Sequence, residues 1–122
     1  MFAVGDIVHV MVPTIGKSKY HICVCPQNSD EILKFFFVNS ENGYVGDLIY
    51  PDGTITGLPV SRTGQSVVSC STLVRLSTTQ LMTFGANKVG ISPPAVLADI
   101  KQNVQQTGLL TKNQVLEIVA NI

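Results

Sequence analysis

Charge is scarce in this chain of 122 residues. Charged side chains make up 13% of it, against roughly 25% in an ordinary soluble domain, while hydrophobic residues make up 45%. That balance excludes intrinsic disorder as the general state. Eight Lys+Arg offset eight Asp+Glu, so the formal net charge is zero. No bulk positive field exists to hold a polyanion non-specifically, although a local basic site is still allowed. A surface so poor in charge implies that a partner covers part of it. No apolar run approaches the ~18 residues of a membrane helix. The first twelve residues carry Asp6 and no leading positive cluster, so no signal peptide is expected. Cysteine numbers three, and Cys23-x-Cys25 with a distant Cys70 lacks the C-x-x-C spacing of zinc and redox sites. On a strand, Cys23 and Cys25 would share a face and pair poorly. Reduced thiols in a cytoplasmic protein are the simplest reading.

What is present has a clear order. At 13.1 kDa the chain is sized for one domain, 1–122, able to bury a core without disulfides or metals. Before residue 77 the apolar runs are short, β-branched and punctuated by Gly, Pro, Asn and Asp. Strands are expected at 6–12, 19–25, 31–39 and 66–76, with a shorter one at 44–50. In the second, Tyr20, Ile22 and Val24 face one way and Lys19, His21, Cys23 and Cys25 the other. In the last, Val68, Cys70, Thr72, Val74 and Leu76 share a face. Polar turns are expected at 26–30 and 40–43 and at Pro51-Asp52-Gly53, and an extended arm at 54–63 anchored by Leu58 and Val60. After residue 77 the spacing turns helical. Ser77 and Gln80 form a capping box opening a short helix that Gly85 ends. Ser92 is expected to cap a longer helix with Pro93 at its first position and Val96, Leu97, Ile100 and Val104 as its buried stripe. Thr111 and Gln114 form another capping box, for a final helix at about 111–122 that buries Val115, Leu116, Val119 and Ile122. Strands followed by helices predict an α+β fold, a small curled sheet with helices at one end or edge.

No strong catalytic or nucleotide-binding motif occurs. His9 lies within a strand that reads as buried, which suits a structural role. His21, on the more polar face of its strand, has the pKa for general acid–base work. Lys17 and Lys19, two of six lysines, sit in and beside a Gly-containing loop between two strands. Two cations with exposed amides suit an anion such as a phosphodiester, though composition alone favours an ordinary solvated hairpin. Ser40 is a hydroxyl beside a turn, where turn capping is the commoner role. Arg62 and Arg75 are the only arginines, each able to pair a carboxylate or a phosphate.

The order of these pieces resembles a known family. The segments VGDIVHVMVP at 4–13 and KYHICVC at 19–25, separated by a polar loop, resemble the opening of the MazF/PemK toxin endoribonucleases. QSVVSCSTLVRLSTTQL at 65–81 and VGISPPAVLADIKQNV at 89–104 resemble the family's later strand and closing helix, and 109–122 reads as an extra helix. The resemblance implies a small SH3-like β-barrel with C-terminal helices, a homodimer, and metal-independent, cofactor-free cleavage of single-stranded RNA that an antitoxin protein blocks. It places Lys19 at the family's basic position before the second strand, with Lys17 near it. It places Ser40 at the Thr or Ser ending the third strand. Some members carry an Arg and an Asp around the Cys of the Ser-Val-Val strand, where this chain has Ser69 and Ser71, without an acid–base pair.

Metal-free RNA cleavage needs a base, an acid and a cation for the phosphorane. The candidate catalytic residues are therefore Lys19, Ser40 and His21, with His21 a base only if its face reaches the cleft. Lys17, Arg62 and Arg75 are the candidate RNA contacts. The competing expectation is a non-catalytic SH3-like interaction module that keeps the fold without the site. A gyrase-binding toxin of the related CcdB type, acting through its C-terminal helix, is a third.

Overall fold

Short β-branched runs fold into strands and the capped segments into helices, in the order the sequence pattern sets out. The computed structural model describes residues 1–27 and 30–122. The chain runs β1 (Asp6–Val12), β2 (Lys17–Cys25), β3 (Ile32–Asn39), β4 (Asp47–Pro51), β5 (Gln65–Ser77), α1 (Thr78–Thr83), β6 (Asn87–Ile91), α2 (Pro94–Thr107) and α3 (Lys112–Asn121). The strands form one antiparallel sheet in the order β4-β5-β3-β2-β1-β6. Register shifts between Ile7 and Val8, Cys23 and Cys25, and Phe35 and Phe37 bend the strands. Bulges raise local twist, and here they curl the sheet into a half-barrel. The architecture is α+β, as the pattern of strands then helices implied. The turn expected at 26–30 falls partly on residues 28 and 29, outside the described residues. No helix among the described residues is long and apolar enough to cross a membrane.

Both faces of the sheet are covered. One core joins Ile7, Ile22, Phe36 and Val68 to Val96, Ile100 and Val104 of α2 and Ile118 of α3. The other joins Val8, Val10, Cys23 and Phe35 to Leu81 of α1. Lys34 of β3 donates through Nζ to the Glu117 carboxylate, tying α3 to the sheet.

Bulges correct two expectations of strict alternation. Cys23 and Cys25 belong to opposite cores, because the register slips between them. On β5, Val68, Cys70 and Leu73 share one core while Val74 and Leu76 pack on the other, since residues 70–73 bulge opposite Phe36. β6 has no strand pattern in the sequence, since a lysine and a glycine interrupt its five residues. It exists because β1 offers an edge: Asp6 pairs Ile91, Ile7 pairs Gly90, and Lys88 Nζ lies 3.1 Å from Asp6 Oδ1.

Other corrections come from packing. Val60 is 88% exposed, and the arm is anchored instead by Ile55, which is buried, with Leu58 half-buried beside it. Leu116 is 57% exposed, while Ile118 is the buried residue of α3. The N-cap of α2 is Pro93, with no side-chain cap. Ser92 is buried; its N–H donates to the Gly5 carbonyl at 2.7 Å and its hydroxyl to the Pro93 carbonyl at 3.1 Å. Ser77 and Thr111 do form complete capping boxes with Gln80 and Gln114.

The arm closes on β6 through two glycines. A Cβ on Gly90 would stand 1.9 Å from the Thr56 carbonyl oxygen, and one on Gly57 would stand 2.1 Å from that of Val89. Gly57 also holds φ at +91°. Only residues without a side chain let backbone approach backbone so closely.

Candidate functional site

Lys17 and Lys19 stand two apart at the start of β2, so strand alternation puts both on one face. Pairing of β2 with β3 brings Tyr20 opposite Val38, which sets Lys19 beside Asn39 and Ser40 at the exit of β3. These residues floor a groove with two lobes. One, about 320 Å³, runs over Tyr20 and Val38 to a wall of Leu58, Pro59 and Ser61. The other, about 600 Å³, is bordered by Glu41, Asn42, Tyr44 and Arg62. Lys17, Lys19, Asn39 and Ser40 line both.

The wall is pinned by polar contacts. Ser61 N–H donates to Asp52 Oδ2 at 2.8 Å, and Asp52 N–H donates to the Gly64 carbonyl at 3.0 Å. Thr56 Oγ1 donates to the Ile91 carbonyl at 2.9 Å, fixing the arm to β6. Thr63 Oγ1 donates to the Ser40 carbonyl, fastening the loop to the end of β3, and Ser40 lines the groove.

Lys19 is the best-positioned cation. Its Nζ donates to Asn39 Oδ1 at 2.8 Å, and Asn39 Nδ2 donates in turn to Ser69 Oγ at 3.0 Å. The same Nζ lies 5.7 Å from the Phe37 ring centroid. Partial burial, and then the charge of Lys17, lower the Lys19 pKa. Two ammonium groups and a hydroxyl on one floor can hold an anionic oxygen and donate hydrogen bonds to it. Arg62 stands on the rim in an exposed ion pair with Glu41, at 2.6 Å.

Two candidates lie away from this groove. His21 shares the face of Lys19 on β2, but it is fully buried, with Phe35 and Phe37 against its ring. Its Nδ1 lies 3.1 Å from the Lys19 carbonyl, and its Nε2 has no partner among the described residues. Burial pushes its pKa down to about 4, against the opposing pull of the Lys19 and Val8 carbonyls. Arg75 pairs in register with Lys34, toward the other end of β3 from Asn39. Asn39 is the residue that sequence reasoning missed. At a strand end it carries no motif, and only the β2–β3 pairing shows that it bridges Lys19 to Ser69. His9 stacks on Tyr20 with ring centroids 4.4 Å apart, a packing role. Among the described residues no three His, Cys, Asp or Glu side chains gather as a metal-binding group.

Fold and groove together define a small curled half-barrel protein with an anion-suited cleft at one end of its sheet. The fold is MazF-like. A chain in the crystal structure of MazE–MazF (Form II) from Deinococcus radiodurans matches it with a TM-score of 0.66. The match covers 90% of this chain and 97% of that one, at 15% sequence identity. No protein-family model matches the chain, and no curated protein matches its sequence.

Proposed function

We propose that this chain is the toxin component of a type II toxin–antitoxin system, a metal-independent endoribonuclease acting on single-stranded RNA. The observation that carries this reading is the Lys17, Lys19, Asn39 and Ser40 floor of the groove in a MazF-like fold. In this reading the whole of 1–122 works as one cytoplasmic unit, paired as a homodimer, and an antitoxin chain is its protein partner.

The chemistry follows from the groove. The RNA 2′-oxygen attacks the adjacent phosphorus, forming a 2′,3′-cyclic phosphate as the P–O5′ bond breaks; a proton passes from the 2′-hydroxyl to a base, and the leaving O5′ takes one from the water that fills the open groove. Lys19 faces the charge that grows on the phosphorane, and Ser40 donates a hydrogen bond to a non-bridging oxygen. His21 is walled off from the groove, so the base falls to Glu41, the carboxylate that lines it among the described residues. Lys17 and Arg62 hold flanking phosphates.

Purified protein is expected to cut single-stranded RNA in EDTA, and its induced expression to arrest bacterial growth. Lys19→Ala is expected to lower the cutting rate about 10²–10³-fold, the effect of losing one preorganised donor to a developing anion. Ser40→Ala is expected to lower it strongly with melting unchanged. Harmless expression without cleavage refutes the enzyme. It would leave a non-catalytic interaction module, a reading favoured by the buried His21 and by serines at 69 and 71.

A further inference from the structure

Tyr44 is the exposed aromatic residue of the groove. Its side chain is 72% exposed, on the larger lobe that also carries Lys17, Lys19, Ser40 and Arg62. An apolar ring left in water gains by being covered. Nothing within the described chain stacks on this ring, whereas His9, Tyr20, His21, Phe35 and Phe37 all have ring partners.

The backbone that carries the ring is held in place. The N–H groups of Gly43 and Tyr44 both donate to Asp47 Oδ2 at 3.1 Å, and Asp47 N–H returns a bond to the Tyr44 carbonyl at 3.3 Å. Gly46 turns the chain at φ +87°, and its carbonyl accepts from Asn103 Nδ2 of α2 at 2.7 Å. The backbone under Tyr44 is thereby fastened to β4 and to α2. A fixed backbone lowers the entropic cost of placing a ligand on the ring.

We propose that Tyr44 is a stacking platform for one unpaired nucleobase of the RNA strand whose phosphates rest on Lys17 and Lys19. The inference rests on the groove's binding single-stranded RNA and names the residue that holds a base. An exposed aromatic face beside cations is the combination that holds single strands, since every base has a π-face and every link a negative charge. Arg62, ion-paired with Glu41, borders the same lobe.

The test uses two probes, a 2′-O-methyl oligouridylate that cannot be cut and a ribose-phosphate chain of equal length without bases. The sequence has no tryptophan, so Tyr44→Trp places a single indole at the site. Its emission is expected to be quenched by the oligouridylate and not by the abasic chain. Tyr44→Ala is expected to weaken oligouridylate binding about tenfold, within the range measured for losing one base–aromatic stack, while Tyr44→Phe keeps it. Abasic binding is expected to depend on Lys19 and not on Tyr44. Binding of the oligouridylate that is lost in Lys19→Ala but equal in Tyr44→Ala and the parent overturns the stacking role and leaves the groove reading standing. An unquenched indole during such binding overturns it too. If neither probe binds, the groove reading fails and the stacking role with it.

Discussion

Lys19 and His21 stand two residues apart on one strand face and have opposite fates. Lys19 ends at the mouth of the groove with Asn39 beneath its ammonium group, while His21 goes under Phe35 and Phe37. Their shared face was legible from alternation. How far the aromatic cover reaches was not, because it depends on which β3 residues lie opposite. The buried imidazole has a measurable consequence. Unfolded, it titrates near 6.5; folded, its pKa is lowered to about 4. Between those values the unfolded chain binds more protons, so this contribution to stability is full above about pH 6.5 and is lost as pH falls through 4. At ~1.4 kcal/mol per pKa unit, the loss reaches about 3 kcal/mol. Thermal melting from pH 7 to pH 4 is expected to fall less steeply in His21→Phe than in the parent. Equal slopes would show that the imidazole is not held neutral by the fold. The three cysteines follow the same logic, since burial pushes each thiol up to about 12.

Elements differ in how openly they announce themselves. The capping boxes of α1 and α3 are local, each needing only a hydroxyl, two residues and a glutamine. They formed as read, with Gln80 N–H donating to Ser77 Oγ at 3.0 Å and Gln114 N–H to Thr111 Oγ1 at 3.2 Å. Ser92 has the look of a cap but serves the junction of β6 with the Gly5 turn. The two cases separate in a mutational test. Thr111→Ala is expected to cost about 1 kcal/mol and to lower the melting temperature, as loss of a cap does. Ser92→Ala is expected to leave α2 helicity unchanged, measured by circular dichroism, because no helix N–H depends on that hydroxyl. A helicity loss in Ser92→Ala equal to that in Thr111→Ala would contradict the cap at Pro93. β6 shows the opposite limit. Five residues with a lysine and a glycine have no strand pattern, and they become a strand only because β1 would otherwise present a bare edge.

At the scale of the whole molecule, the shortage of charge acquires a location. Met82 of α1 and Ile91 of β6 are more than half exposed, and β6 ends the sheet. Apolar side chains left in water favour cover by a second copy in a closed, symmetric pair. Light scattering after size exclusion, at micromolar concentration, is expected to report about twice 13.1 kDa. A monomer there would remove the homodimer from the proposal and leave each groove complete within one chain.

The sequence by itself determined the strand-then-helix order, the capped starts of α1 and α3, the closeness of Lys17 to Lys19 before the second strand and the position of Ser40 after the third strand. Each of these depends on neighbours within a few residues, where hydrogen-bond reach and side-chain period leave few alternatives. Only the tertiary structure decided that bulges would send Cys23 and Cys25 to opposite cores and that Ile118 rather than Leu116 would face inward. It alone decided that Asn39 would join Lys19 to Ser69 and that Tyr44 would stand free on a fastened turn. These depend on strand register and on what lies across the sheet, and a shift of one residue in register exchanges the buried face for the open one.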